Sequence, residues 1–185
     1  MRALRQLRAT LSVLGRAKRH RWDLVRAMAR RPQLLLGTAL YELAIGLSAR
    51  VDDRLKVLAE LKVAAMVACE YCLDIGSALA RGSGVTERQL RDLPTYRTSD
   101  AYDADERLVI ELAETLTRAP AVVPDELRSR LEARFSGAQL GELAAVIAWE
   151  NQRARLNQGL GVRPSGFSDG ELCALPETIS AGALQ

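Results

Sequence analysis

The chain has 185 residues, a length that suits one domain with a sizeable core. Because 48% of the residues are hydrophobic and only 4% are aromatic, the core must consist of Leu, Ala and Val, a composition that favours packed helices over a sheet. No apolar run is long enough to span a bilayer, and the basic N-terminus lacks the continuous apolar stretch of an export signal, so we expect a cytoplasmic protein. The formal net charge of +3 is unevenly placed, because residues 1–31 hold ten Arg or Lys and one acid, whereas acids outnumber bases in the rest of the chain.

The basic N-terminal arm, residues 1–31, is predicted to form two helices. Leucines at helical spacing define the first over residues 4–14, and the second covers His20 to Arg30. Such an arm contacts either an anionic surface such as a membrane, or the acidic body of the protein or a neighbouring subunit. The second interpretation is favoured because the arm has no aromatic interleaving beyond Trp22 and matches no nucleic-acid-binding motif.

Periodicity and capping residues predict that most of the remaining chain is helical. The predicted helices are 33–49, a helix from Asp52 and Asp53 to about 68, 74–81, a short helix behind the capping box of Thr86 and Gln89, 103–118, 124–135 and 137–157. We therefore predict an all-α bundle over residues 32–162, preceded by the arm and followed by an irregular tail over 163–185. The apolar runs 33–47 and 57–68 exceed what one small bundle hides easily, so we expect a homo-oligomer.

The segment Cys69-Glu70-Tyr71-Cys72 carries the most specific chemistry in the sequence. Its spacing places both sulfurs on one side of a helical turn, where they can form and break a disulfide. The same spacing also occurs as half of a zinc site, or as two small apolar residues in a tight junction. Because His20 is the only histidine and no second CxxC follows, redox chemistry is favoured, and no metal or cofactor is expected.

Helix electrostatics distinguish the two thiols. A cysteine in the first turn of a helix lies near free N–H groups, whose partial positive charge stabilises the thiolate. Cys72 would lie deeper in that turn than Cys69, so Cys72 is predicted to attack with a lowered pKa and Cys69 to resolve the intermediate. Cys173 is a third redox candidate, although a lone thiol in an irregular tail is more often incidental.

The stretch from Leu55 to Asp74 resembles the carboxymuconolactone decarboxylase family, and in particular its alkylhydroperoxidase D-like branch. The resemblance covers about residues 40–162, with the CxxC as its most specific part. It implies an alkylhydroperoxidase D-like helical bundle that forms oligomers, and a CxxC that reduces peroxides or accepts electrons from a thiol partner. It also implies that the second cysteine, Cys72, is the reactive one.

The chain departs from the redox branch at the positions of the proton relay. The branch has a glutamate twelve residues before its first cysteine, where this chain has Val57, and a histidine four residues after its second, where this chain has Gly76. A fold-back of the chain before the cysteines would bring Glu60 level with Cys72. We therefore assign Glu60 a catalytic role as acceptor of the thiol proton. The alternative is a structural ion pair, either with Lys56 or across a subunit interface.

Other polar residues near the motif receive structural roles. Glu70 and Asp74 are expected to point to solvent, and Tyr71 to cover the site or to donate to a bound oxygen. Asn151 continues an apolar stripe of its helix, so its amide is expected to join a buried hydrogen-bond network.

These features favour a thiol-dependent oxidoreductase that reduces small peroxides or disulfides with electrons from a thiol donor. One alternative is a non-redox protein of the same fold that acts on a small carboxylate or lactone, or serves as a binding scaffold. Another is an interaction protein whose basic arm contacts a membrane or an anionic polymer. By the resemblance, decarboxylating members do not need a CxxC, so the cysteine pair favours the oxidoreductase.

Overall fold

The computed structural model describes residues 12–20 and 22–177. Over these ranges the regular secondary structure is helical, without strands, which confirms the predicted all-α class. The helices are α1 (Asp23–Met28), α2 (Pro32–Leu47), α3 (Asp53–Val67), α4 (Glu70–Gly82), α5 (Glu87–Asp92), α6 (Ala104–Thr117), α7 (Asp125–Arg134) and α8 (Gly137–Gly159), with a 3-10 turn at Leu93–Thr95. Residues 12–15 are also helical, in agreement with the end of the helix predicted over residues 4–14, whose part before residue 12 lies outside the described residues.

Side-chain caps explain where several of these helices begin. The capping box predicted at Thr86 and Gln89 is present at the start of α5, and Asp103 and Ser136 open α6 and α8 in the same way. Each cap satisfies N–H groups that have no partner within the helix, and replacing such a residue typically costs about 1 kcal/mol. The caps thus fix where α5, α6 and α8 begin.

Helix α3 is the centre of the bundle and packs against α4, α6 and α8. Its apolar side chains Leu58, Leu61 and Val63 are fully buried. Buried lysines on the same helix are ion-paired, with Lys56 Nζ 3.2 Å from Glu142 and Lys62 Nζ 2.5 Å from Glu177. Most of the apolar run 57–68 is therefore buried within the chain, whereas its last residues, 66–68, are only partly buried.

Helix α2, in contrast, leaves its apolar side chains uncovered. None of its residues is buried, and Leu36, Leu40, Leu43 and Leu47, which share one face, are between 52% and 61% exposed. Its contacts with the bundle include Tyr41, which stacks on Trp149 with ring centroids 4.3 Å apart. A continuous apolar face of this kind is typical of an interaction surface.

We propose that a second copy of the chain covers this face of α2. Replacing Leu36 and Leu43 together with glutamate is expected to shift the protein towards monomers, because a charged side chain is costly to bury between subunits. Light scattering at micromolar concentration gives the mass. Leu175→Glu, at a 72% exposed position in the tail, is the control and is expected to leave the mass unchanged. A parent protein that is already monomeric would contradict the proposal.

The tail and the arm lie against each other. Arg19 pairs with Asp169 at 2.8 Å, and Arg163 pairs with Asp23 at 3.0 Å. Arg16 and Arg19 thus dock the described part of the arm on acids of the tail, Glu171 and Asp169, while the Arg163–Asp23 pair has the opposite polarity. Across residues 12–20 and 22–177, no helix has both the length and the apolarity needed to span a bilayer.

Candidate active site

A sharp turn between α3 and α4 positions the two cysteines of the CxxC. Ala68 ends α3 in the left-handed region at φ 56°, a conformation that costs a residue other than glycine about 1 kcal/mol. Gln158 on α8 holds the turn by donating to the carbonyls of Val67 at 2.7 Å and Ala68 at 3.2 Å. The chain reverses here, so that α4 returns along α3 with the cysteines at its N-terminus.

Both thiols are free, buried and joined to the start of α4. Cys69 is the N-cap residue, and its sulfur accepts the backbone N–H of Cys72 at 3.3 Å. The exposed fractions of Cys69 and Cys72 are 2% and 5%. The side-chain amide of Asn157, on α8, donates to the Cys72 sulfur at 3.5 Å. The predicted helix start at the CxxC is therefore correct.

The two thiols differ in acidity. A hydrogen bond between the side chains lowers the pKa of Cys69 and raises the pKa of Cys72, which burial and the nearby Glu150 carboxylate raise further. The sulfur of Cys69 also accepts a backbone N–H at the helix N-terminus, which stabilises its thiolate. Cys69 is therefore the thiol of the reduced pair that ionises more readily, and the predicted lowering of the Cys72 pKa is wrong. The order of attack by the two sulfurs stays a prediction.

Three carboxylates converge on one arginine next to the dithiol. Arg153 donates to Glu42 at 2.9 Å, to Glu60 at 3.1 Å and to Glu150 at 2.6 Å. The carboxylates come from three helices, since Glu42 belongs to α2, Glu60 to α3 and Glu150 to α8. The exposed fraction of the side chain falls from 39% at Glu42 to 21% at Glu60 and 2% at Glu150. The cluster thus extends from the surface to the buried Cys72.

Glu150 is the member of this cluster that faces the thiol. Burial raises the pKa of Glu150, while Arg153 and the thiol of Cys72 act in the opposite direction. One oxygen, Oε2, is held by Arg153, whereas Oε1 is buried and has no hydrogen-bond partner in the described part of the chain. A buried acceptor without a partner is costly unless the site has a use for it.

Glu60 lies in the same cluster, but its partner is Arg153. Burial raises the pKa of Glu60 to about 7, against the opposing effect of Arg153. Among the hydrogen bonds of residues 12–20 and 22–177, none joins Glu60 to either sulfur. The sequence-based alternative of a pair with Lys56 is not what occurs, because Lys56 binds Glu142. The catalytic role of Glu60 stays a prediction.

The positions of the family's relay residues offer no substitute. Val57 is buried in the apolar core around the cysteines. At Gly76, an added Cβ would come within 3.0 Å of the Leu61 side chain, so a larger residue would require Leu61 to shift. Neither position therefore supplies a side chain that could exchange a proton with the two thiols. In the described ranges, no three His, Cys, Asp or Glu side chains are arranged to hold a metal ion.

Asp74 anchors the tail over the apolar cluster that contains the two cysteines. Its buried carboxylate accepts the backbone N–H groups of four consecutive residues, 165–168, at 2.7–3.2 Å. The prediction that Asp74 points to solvent is therefore wrong, whereas Glu70 is exposed as expected. Phe167 packs edge-on against Tyr71, and burial raises the pKa of Tyr71 to about 12. Tyr71 accordingly covers the site as a neutral ring.

The remaining sequence candidates lie at the edge of the site. Ser77 donates to the sulfur of Cys173 at 3.6 Å, and burial raises the pKa of Cys173, so this thiol is predominantly protonated at neutral pH. The side-chain amide of Asn151 donates to Thr117 at 3.0 Å and to the carbonyl of Ile147 at 3.1 Å, as a structural network would. Neither residue contacts the two cysteines of the CxxC through these bonds.

Comparison with known proteins identifies the family. Residues 32–115 match the carboxymuconolactone decarboxylase family. The chain is 34% identical to the uncharacterized protein YnjA of Escherichia coli (strain K12) over 131 residues, or 70% of this chain and 69% of that protein. It is 31% identical to the uncharacterized protein YdfG of Bacillus subtilis (strain 168) over 114 residues, or 61% and 78% of the two chains. The chain belongs to the carboxymuconolactone decarboxylase family.

Solved structures share the fold. A protein of unknown function from Agrobacterium tumefaciens, provisionally assigned as the antioxidant defence protein AhpD, superposes with a TM-score of 0.70 at 21% identity, over 74% of this chain and 94% of that one. The apo debrominase Bmp8 gives 0.73 at 21% identity, over 89% and 87%. A cysteine-to-alanine variant of Bmp8 in complex with 2,3,4-tribromopyrrole gives 0.69 at 21% identity, over 76% and 75%. The fold is thus that of the AhpD-like helical proteins.

Proposed function

We propose that the protein is a dithiol oxidoreductase that uses Cys69 and Cys72 to reduce small peroxides or disulfides with electrons from a thiol donor. The observation that carries this proposal is the pairing of two free thiols at a helix N-terminus, with opposite pKa shifts. In a pair of this kind one thiol ionises more readily while the other keeps its proton, and a two-electron reduction needs both a thiolate and a proton. Its family membership supports the same chemistry.

The reaction balances with these two sulfurs. A thiolate attacks one peroxide oxygen, an S–O bond forms, the O–O bond breaks, and the released alkoxide takes a proton to leave as an alcohol. The second thiol then displaces hydroxide from the sulfenic acid, which closes the disulfide, and the hydroxide leaves as water after taking a proton. With a disulfide substrate, the leaving groups are two thiolates. A donor dithiol returns the two electrons by thiol–disulfide exchange.

Reductive debromination is a second candidate, supported by the similarity of the fold to Bmp8 over 89% of this chain. The same dithiol would supply two electrons, and a proton would replace bromide on the ring while the disulfide closes. A brominated pyrrole therefore belongs in the substrate panel. A non-redox role as a decarboxylase or a scaffold would leave both thiols unused.

The test follows thiol oxidation and turnover in the parent protein and in Cys69→Ser and Cys72→Ser. We expect the parent to form an internal disulfide with hydrogen peroxide and to turn over with dithiothreitol as donor, and each variant to lose the disulfide and at least about 99% of the turnover. Cys173→Ser is the control and is expected to retain both. A parent protein that never forms the disulfide under excess oxidant would overturn the proposal.

The same variants test the order of the pKa values. The rate of alkylation by iodoacetamide, measured against pH, is expected to rise at a lower pH for Cys69 in Cys72→Ser than for Cys72 in Cys69→Ser. In Cys72→Ser, the sulfur of Cys69 still accepts the helix N–H, which stabilises its thiolate and lowers its pKa. In Cys69→Ser, Cys72 still lies near the Glu150 carboxylate, whose negative charge raises the pKa of the thiol. The reverse order would restore the sequence-based assignment of the thiolate to Cys72.

A further inference from the structure

Resting on the proposed dithiol chemistry, we propose that Glu150 is the acid–base group of the site. It accepts the Cys72 proton when the disulfide closes, and it returns a proton when the disulfide is reduced. In this step Cys69 has attacked the substrate first, which reverses the order predicted from the sequence. As Cys72 then bonds to Cys69, the bond between Cys69 and the substrate-derived group breaks, that group leaves with the electron pair, and the thiol proton moves to Glu150.

The geometry of Glu150 suits this task. Arg153 fixes its Oε2, and Oε1 remains buried without a hydrogen-bond partner among the described residues. The carboxyl therefore has a fixed orientation and one oxygen available for a proton. Because its pKa is raised by burial, Glu150 is also a better proton acceptor than a solvent-exposed carboxylate.

The surrounding charges let the proton leave again. The groups that face Glu150 are Cys72 on α4, Glu60 on α3, Glu42 on α2 and Arg153 on its own helix. Three carboxylates share one guanidinium, so protonating one carboxylate lowers the pKa of the others. When Glu150 takes the thiol proton, the partly exposed Glu60 releases its own proton more readily to solvent. Glu60 is thus a positioning residue in this scheme, acting through Arg153.

Glu150 also explains how the chain works without the family's relay. The glutamate and histidine of the redox branch would lie at positions 57 and 76, which are Val57 and Gly76 in this chain. The carboxyl of Glu150 comes from the last helix of the bundle instead and interacts with the thiol of Cys72. A second polar group from that helix, the Asn157 amide, supports Cys72 at 3.5 Å.

A chromogenic nitroaryl disulfide separates attack from closure. The first aryl thiolate is released when a protein sulfur attacks, and the second when the other sulfur closes the internal disulfide. Glu150→Gln is expected to slow whichever release requires deprotonation of Cys72 by at least about tenfold at pH 7, the low end for a positioned acid–base group. The difference from the parent is expected to shrink as pH rises, because hydroxide then takes the proton.

Two further variants show whether the rate loss is specific to the carboxyl group of Glu150. Glu142→Gln changes another buried glutamate on the same helix, paired with Lys56 away from the sulfurs, and is expected to leave both release rates unchanged. Glu150→Asp keeps a carboxyl and is expected to recover part of the lost rate. If Glu150→Gln fails to fold, the comparison of Glu150→Asp with the parent across pH decides the question.

The outcomes distinguish this inference from the proposed function. Unchanged release rates in a folded Glu150→Gln protein, or a rate loss that does not depend on pH, would overturn the role of Glu150 while leaving the dithiol chemistry intact. Absence of a second release in the parent protein would overturn the dithiol chemistry itself.

Discussion

Replacing Arg153 with methionine is expected to lower the free energy of unfolding by about 3 kcal/mol at pH 8. The guanidinium binds Glu42, Glu60 and Glu150, and its removal leaves three carboxylates close together without a counter-charge. Breaking a buried ion pair by removing one partner typically costs about 3–5 kcal/mol. The lower part of that range applies because the Arg153 side chain is 28% exposed.

The loss is expected to depend on pH in a defined direction. The pKa of Glu60 is already raised from 4.5 to about 7 in the folded protein, and losing Arg153 raises it further. A carboxyl whose pKa is higher in the folded state than in the unfolded state stabilises the fold at low pH, and this contribution is lost as pH rises through the folded-state pKa. The variant is therefore closest to the parent below about pH 4.5 and diverges from it through pH 7 and above.

Urea unfolding at several pH values, followed by circular dichroism, measures both effects. Arg155→Met is the matched control, because Arg155 lies on the same helix, is exposed and, within the described residues, donates only to Asn151 one turn earlier. It is expected to change the free energy of unfolding by less than about 0.5 kcal/mol. Equal stability of Arg153→Met and the parent across the whole pH range would show that the cluster is not held by this arginine.

Local patterns in the sequence were sufficient to predict the helices. The spacing of leucines and the caps at Thr86 and Asp52 are properties of neighbouring residues, and they survive packing unchanged. The start of a helix at the CxxC is local in the same sense, because a cysteine can cap a helix by accepting an N–H three residues later. The fold class and the paired thiols could therefore be predicted without coordinates.

The charges around the thiols could not be predicted, because they come from distant parts of the chain. Glu150 follows Cys72 by 78 residues and reaches it only because α8 packs on α3 beside α4. One signal was available: the buried residues Leu143, Ile147, Glu150, Ala154 and Asn157 recur at alternating spacings of four and three along α8. This stripe places Glu150 and Asn157 inwards, whereas the sequence-based stripe ended on Asn151.

Asp74 shows the same limitation for a residue next to the motif. Its position two residues after Cys72 suggested a solvated carboxylate, but the tail, some 90 residues further along, brings four N–H donors to it. Consecutive N–H groups around one anion form a nest, which stabilises the negative charge without a basic side chain. Nothing in the sequence around residue 74 indicates such a nest.

Replacing Asp74 with alanine is expected to detach the tail from the dithiol cluster. The four N–H groups of residues 165–168 would lose their acceptor inside the protein, and leaving buried donors unpaired costs about 1–3 kcal/mol per group. Residues 165–168 can avoid this cost by moving away from the protein, because water then bonds their N–H groups. Leu172 and Cys173, which pack with Ala174 against the cluster that contains Cys69 and Cys72, would then separate from it.

Two measurements follow the detachment. Hydrogen exchange of the amides of residues 165–168 is expected to accelerate by at least about tenfold, and alkylation of Cys69 and Cys72 by a similar factor, since each 1.4 kcal/mol lost raises the open population about tenfold. Glu70→Ala, an exposed acid on the first turn of the same helix, is the control and is expected to leave both rates close to the parent's. Faster exchange with unchanged alkylation would show that the tail is anchored by Asp74 but does not limit access to the thiols.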